Sequence, residues 1–157
     1  MTPQRQIVIR PLEPGEERAF HDINIDWITR FFAVEKKDRE TLENPRAVIL
    51  EKGGAILMAM DGSTPIGCVA LIAMSDGGFE LAKMGVLPAA QGRGVGRQLV
   101  EGAIEHAREI GAKRLYLETN SSLGPALRLY SEAGFAPIKG SSSPYARCDV
   151  QMELKLD

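Results

Sequence analysis

Cysteine and histidine are scarce in this chain of 157 residues, two of each, and their scarcity removes whole classes of chemistry. Cys68 and Cys148 lie far apart and form no CxxC pair, so a disulfide framework is excluded and reduced thiols in a cytoplasmic protein are expected. His21 and His106 each lack a Cys or His at ligand spacing, so no metal site is expected and both read as surface or packing residues. An excess of either charge is missing too. There are 19 Lys+Arg against 21 Asp+Glu, a formal net charge of -2, and the cations are scattered among acids rather than gathered into the basic footprint of a nucleic-acid binder. No apolar run approaches the length that spans a bilayer, and the start Met1-Thr2-Pro3-Gln4-Arg5-Gln6 lacks the apolar core of a signal peptide. Nucleic acid and membrane are therefore not expected as partners.

Glycine, in contrast, is concentrated where it matters. Gln91-Gly92-Arg93-Gly94-Val95-Gly96 lies between an apparent strand and an apparent helix. Glycine lets backbone approach an anion and adopt angles that side chains forbid, and the first amides of a helix have no partners within it. Together with the positive end of the helix dipole they make an anion site. A P-loop would need Lys and Ser or Thr after its last glycine, whereas Gly96 is followed by Arg97 and Gln98. A dinucleotide fingerprint would need two residues between its second and third glycines, and here Val95 stands alone between Gly94 and Gly96. What remains is Gln-x-x-Gly-x-Gly, or a plain glycine-rich loop.

The rest of the chain reads as one domain, residues 1–157, long enough to bury about two thirds of its unfolded surface. Ile7 to Arg10 is a short strand ending at Pro11. Phe20, Ile23, Ile25, Trp27, Ile28, Phe31 and Phe32 mark one or two amphipathic helices between Pro14 and Phe32, and Lys36 to Leu42 a further helical turn closed by Asn44-Pro45. Ala47 to Leu50, Ala55 to Met60, Ile66 to Met74 and Phe79 to Val86 read as strands separated by Gly53-Gly54, Asp61-Gly62 and Asp76-Gly77-Gly78. Leu99, Ala103, Ala107 and Ile110 mark a helix stopped by Gly111, and Arg114 to Glu118 the next strand. A second helix is capped by Ser122, has Pro125 in its first turn, and shows Ala126, Leu129, Tyr130 and Ala133 on its inner face before Gly134. Phe135 to Ile138 and Val150 to Leu156 are final strands, and Lys139 to Pro144 is a surface loop. Hairpins followed by a β-α-β-α-β run imply an α/β (mixed α+β) fold with helices packed on one mixed sheet.

The loop, the second helix and the order of parts resemble the GNAT superfamily of acyl-CoA-dependent N-acyltransferases, closely from Phe79 to Ile138. The residues that carry the resemblance are Val86-Leu87-Pro88, then Gln91, Gly94 and Gly96, then Ala126, Tyr130, Gly134 and Phe135. The resemblance implies a central, mostly antiparallel sheet of about seven strands, splayed between the fourth and fifth and flanked by about four helices. It implies acetyl-CoA as acyl donor without a metal, and a transferase that acetylates a primary amine by direct attack in a ternary complex. Gln91, Gly92, Arg93, Gly94, Val95 and Gly96 would then wrap the pyrophosphate, with Arg93 or Arg97 adding charge-assisted bonds. The strand before them would hold the pantetheine arm like an added strand, and the Val86 amide would polarise the thioester carbonyl. Ala126 lies with Tyr130 on the cofactor side. Tyr130 is read as both a packing residue and the acid that protonates the departing thiolate. Glu80 matches the spacing of the base in histone-type relatives, with a water chain or Glu118 as the alternatives. Many relatives carry Asn seven residues before the tyrosine, where this chain has Leu123; Asn120, one turn earlier, is the substitute, either for cofactor contact or as a cap.

In such enzymes the acceptor is selected by the early helices and a late loop, here Trp27 to Phe32 and Ser141 to Arg147. Trp27, Arg30 and Phe31 facing Tyr145 and Arg147 would frame a small amine bearing a carboxylate, since Arg grips carboxylates through two parallel bonds, or they are packed and solvated residues without such a role. The expected acceptor is a small molecule such as an amino acid or polyamine. The alternatives are a protein or peptide amine and a non-catalytic acyl-CoA sensor. Relatives often dimerise, which makes a homodimer an expectation as well.

Overall fold

Periodic apolar positions divide the chain into elements whose order fixes the site. In the computed structural model, which describes residues 6–139 and 143–156, the order is β1 (Ile7–Pro11), α1 (Glu17–Phe31), α2 (Lys36–Glu43), β2 (Ala55–Asp61), β3 (Thr64–Ala73), β4 (Phe79–Val86), α3 (Val95–Glu109), β5 (Arg114–Thr119), α4 (Gly124–Glu132), β6 (Ala136–Ile138) and β7 (Val150–Lys155). One seven-stranded sheet runs β1-β2-β3-β4-β5-β7-β6. All its neighbours are antiparallel except β4 and β5. That parallel pair is joined only through Phe79 with Leu115 and Glu80 with Tyr116. Beyond it the strands part, as the resemblance implied.

Each face of the sheet carries its own core. Leu99, Val100, Ala103 and Ala107 of α3, with Tyr130 of α4, pack on Val69, Leu71, Leu81, Leu115 and Leu117. On the opposite face Phe20, Ile23 and Ile28 of α1 and Leu42 of α2 pack on Ile56, Met58, Cys68 and Ala70. Phe20 and Ile28 are fully buried, and burying a side chain of that kind contributes about 2–3 kcal/mol. They hold α1 so low that a Cβ on Gly85 of β4 would lie 2.6 Å from Trp27 Cδ1.

One irregularity matters for the site. Cys68 pairs with Gly85 and Ala70 with Ala82, so β4 carries one residue more than β3 at this point. The β-bulge centres on Lys83, whose φ of +54° is the only left-handed value at a non-glycine among the described residues.

Two local expectations are corrected. Ala47 to Leu50 is not a strand. Arg46–Leu50 forms a helical turn in which Glu51 N donates to Arg46 O at 2.8 Å and Val48 N to Asn44 O at 2.9 Å. Pro45, with φ -64° and ψ -32°, starts the turn, and a four-residue apolar run has no period that distinguishes strand from helix. Ser122 does not cap α4 either. Leu123 holds that position without a side-chain bond, and the Ser122 amide instead donates to Asn120 Oδ1 at 2.8 Å. Met1 to Arg5 lie outside the described residues. No helix among those described is long and apolar enough to cross a membrane.

Candidate active site

A cavity of about 690 Å³ opens where β4 and β5 part. Its two ends are built differently. At one end lies the glycine turn. Gly92 and Gly94 have φ of +83° and +76°, and a Cβ at either would meet nothing within 4 Å, so backbone angle rather than crowding demands glycine. Gly94 O accepts the first α3 bond from Gln98 N at 3.1 Å, which leaves the amides of the first turn, Val95 to Arg97, without partners in the helix. Gly96 serves packing instead: its Cβ would lie 3.1 Å from Leu129 Cδ1, where α4 crosses α3. Gln91 lines the cavity just ahead. The two arginines are engaged with carboxylates, Arg93 with Asp61 at 3.1 Å and Arg97 with Glu132. Both pairs are partly exposed, so exchanging partners costs little.

Between the ends, main chain is left free by register. Leu87 N donates to Ile66 O at 2.9 Å, and successive amides of a strand point to opposite edges, so Val86 N faces the open side toward β5. A turn of unpaired amides followed by a half-free strand edge fits a diphosphate joined to an extended arm. Tyr130 and Ala126 of α4 line the same stretch. Tyr130 is 7% exposed and meets Phe135 edge-on at 6.0 Å, and burial pushes its hydroxyl up to about 12.

The other end is made of side chains on the α1/α2 face. Glu80 pairs with Ile72 across β3 and with Tyr116 across β5, which sets Glu80, Tyr116 and Glu118 on that face. No hydrogen bond or ion pair reaches Glu80 among the described residues. Burial and then the charge of Glu118 push its carboxyl up to about 7, against the opposing pull of Lys83 and Lys37. Glu118 accepts from the Tyr116 and Ser143 hydroxyls, each at 2.7 Å.

A buried charge cluster forms the adjoining wall. Asp38 of α2 has no exposed surface and accepts from Arg147 Nη1 and Nη2 at 2.7 and 2.6 Å and from Lys83 Nζ at 2.6 Å. Burial alone would raise the Asp38 carboxyl, but these donors, with the Glu35 amide, bring it down to about 2. Lys83 Nζ also donates to the Tyr145 hydroxyl at 2.9 Å, and burial lowers its own affinity for the proton. The Arg147 guanidinium lies 4.5 Å from the Tyr145 ring and 5.9 Å from that of Trp27. Asn120 fixes this loop by donating to Arg147 O at 2.7 Å.

The cavity thus gathers Trp27, Arg30, Phe31, Glu80, Val86, Gln91, Asn120, Ala126, Tyr130, Tyr145 and Arg147, while Gly92 to Arg97 adjoin it at the glycine turn. Ser141 and Ser142 of the late loop lie outside the described residues. Of the two arginines read as open to a carboxylate, Arg147 is not open, being held by Asp38 and by Glu35 at 3.3 Å, whereas Arg30 bonds Asp26 at 3.0 Å in a partly exposed pair that can exchange. Asp38 and Lys83 were not foreseen. Lys83 left one trace, a lone cation in the apolar run Leu81 to Met84; Asp38, inside a charged stretch, left none. Among the described residues both cysteines are free, and no group of His, Cys, Asp and Glu is placed to hold a metal.

A sheet split at a parallel pair beside a glycine turn is the acyl-CoA N-acyltransferase type of fold. Of solved structures, a GNAT-family acetyltransferase from Staphylococcus aureus Mu50 matches with a TM-score of 0.87 at 21% identity, over 97% of this chain and 100% of that one. Spermidine N-acetyltransferase from Vibrio cholerae, in complex with CoA and spermine, matches at 0.71 and 21% over 96% and 95%. The model of the acetyltransferase (GNAT) family matches residues 18–135, and the chain belongs to that family. An uncharacterised N-acetyltransferase of Escherichia coli K12 is 43% identical over 79 residues, covering 49% of this chain and 47% of that protein. The chain spans about half the length of the curated relatives it matches.

Proposed function

We propose that the protein is an acetyl-CoA-dependent N-acetyltransferase that moves the acetyl group to the primary amine of a small molecule by direct attack in a ternary complex. The observation that carries this reading is one continuous cleft, from the glycine turn through the free Val86 amide and Tyr130 to Glu80. Gln91 to Arg97 hold the diphosphate and the open edge of β4 the arm. Bound there, acetyl-CoA supplies an activated carbonyl and a thiol leaving group.

The chain's own groups then move protons. Val86 N–H donates to the carbonyl oxygen as negative charge builds on it. Glu80 takes the proton of the incoming ammonium. An alkyl ammonium titrates near 10 and an ordinary carboxyl near 4, so raising Glu80 to about 7 narrows the gap to about three units. Tyr130 keeps its proton at every physiological pH; once the N–C bond has formed it donates from its hydroxyl to the sulfur as the C–S bond breaks, and the second proton shed by the nitrogen restores the phenol. The test is thiol release from acetyl-CoA over a panel of amino acids, polyamines and peptides. Turnover on small amines is expected. Tight acetyl-CoA binding without turnover on any amine would leave a non-catalytic acyl-CoA sensor.

A further inference from the structure

We propose that Asp38 sets acceptor specificity: by occupying the Arg147 guanidinium and the Lys83 ammonium it closes the acceptor wall to carboxylates, so the site takes amines without a neighbouring acid group. The inference rests on the acetyltransfer reading and narrows its substrate class.

An arginine in a substrate cleft is ordinarily the natural receptor of a carboxylate, because its planar fork matches two oxygens at once. Here that fork is spent. Both terminal nitrogens of Arg147 bond the two oxygens of Asp38, and Glu35 takes a further contact. Lys83 is engaged in the same way, its side chain 4% exposed against an Asp38 side chain at 0%. Asp38 and Lys83 have almost no access to water, and breaking the set would strand a buried charge. Asp38 Oδ2 also accepts from the Glu35 amide at 2.9 Å and caps α2, which fixes the carboxylate from behind.

What the cleft presents away from its exposed rim is acidic. Glu80 and Glu118 face it, and neither forms an ion pair among the described residues. Of the cations lining it, Lys83 and Arg147 are locked in buried pairs; Arg30, in a partly exposed pair with Asp26, and Lys37, which bears on Glu80 without an ion pair among the described residues, stand at the exposed rim. An acceptor carboxylate beside the reacting amine would meet Glu118 and, once it has lost its proton, Glu80, with the buried Arg147 fork already taken. An uncharged or cationic substituent would meet no such penalty.

The experiment compares matched acceptors: lysine with cadaverine and with lysine methyl ester, and phenylalanine with phenethylamine and its methyl ester, scored as kcat/KM from thiol release. In the wild type the amine and the ester should exceed the acid by about tenfold or more, the discrimination that an unsatisfied charge produces. D38N keeps an acceptor for the α2 cap but releases Arg147 and Lys83, so the ratio should shift toward the acid by about tenfold; adding R147Q should remove the larger part of that shift, and K83M with it the rest. Should D38N fail to fold, R147Q alone serves, and it should lower acid and amine equally. A wild-type preference for the acids, or an R147Q loss confined to them, would overturn the proposal while leaving acetyltransfer intact. Acetyl-CoA binding with no thiol release on any pair would overturn the acetyltransfer reading and this one with it.

Discussion

The donor end of the cleft is made of backbone and the acceptor end of side chains. Val86 to Arg97 is one short stretch whose amides and left-handed glycines act whatever the side chains are. The acceptor wall instead joins α1, α2, β4, β5 and the late loop, with Asp38 bonded to Arg147 across 109 positions and to Lys83 across 45. A main-chain site tolerates substitution wherever the backbone angles survive. A charge cluster is most sensitive to the loss of the member its partners share, here Asp38.

The contrast can be broken by experiment, and D38A carries the largest expected effect. It strands Lys83 and Arg147 without their carboxylate and should cost about 3–5 kcal/mol, read from denaturant midpoints. Acetyl-CoA affinity of the folded protein should not change; a parallel loss would mean that the two ends are not separable. Y130F comes next, with turnover reduced about a hundredfold while the ring keeps its contact with Phe135 and acetyl-CoA affinity is retained.

Glu80 tests the acceptor end by pH. Below about 7 it holds a proton, so wild-type turnover should rise through that pH, and E80Q should lose this limb. Stability should respond with the opposite slope. A carboxyl raised in the folded state contributes stability below its unfolded value near 4.5 that is lost as pH climbs through 7, so E80Q should gain on wild type between pH 5 and 8 in thermal melts. The smallest effect belongs to the donor end. G94V forces a branched residue into a left-handed angle at a cost of about 1–2 kcal/mol, seen chiefly as about tenfold weaker acetyl-CoA binding in titration calorimetry.

Legibility followed the same division. The glycine turn, the α3 face of Leu99, Ala103 and Ala107, and Tyr130 on α4 were readable because their spacing is local. The splay came with the resemblance, since nothing in β4 or β5 taken singly shows where their pairing stops. Ala47 to Leu50 misled because four apolar residues fit either period and Pro45 decided the matter. Arg147 was readable as a cation near the acceptor, yet its partner was not, because an ion pair between α2 and a loop near the other end of the chain leaves no pattern in either segment. The same blindness hid Lys83, whose burial follows from an extra residue in its strand.

That extra residue also governs parity. In an unbroken strand, positions that differ by an odd number fall on opposite sides, yet Glu80 and Gly85 both lie on the α1/α2 side, paired with Ile72 and Cys68, while Leu81, Met84 and Val86 join the other core. Lys83 is where even numbers hand over to odd. Deleting one residue there would restore strict alternation, with Gly85 and Val86 keeping their partners on β3, and would take away the left-handed bend that carries the Lys83 side chain to Asp38.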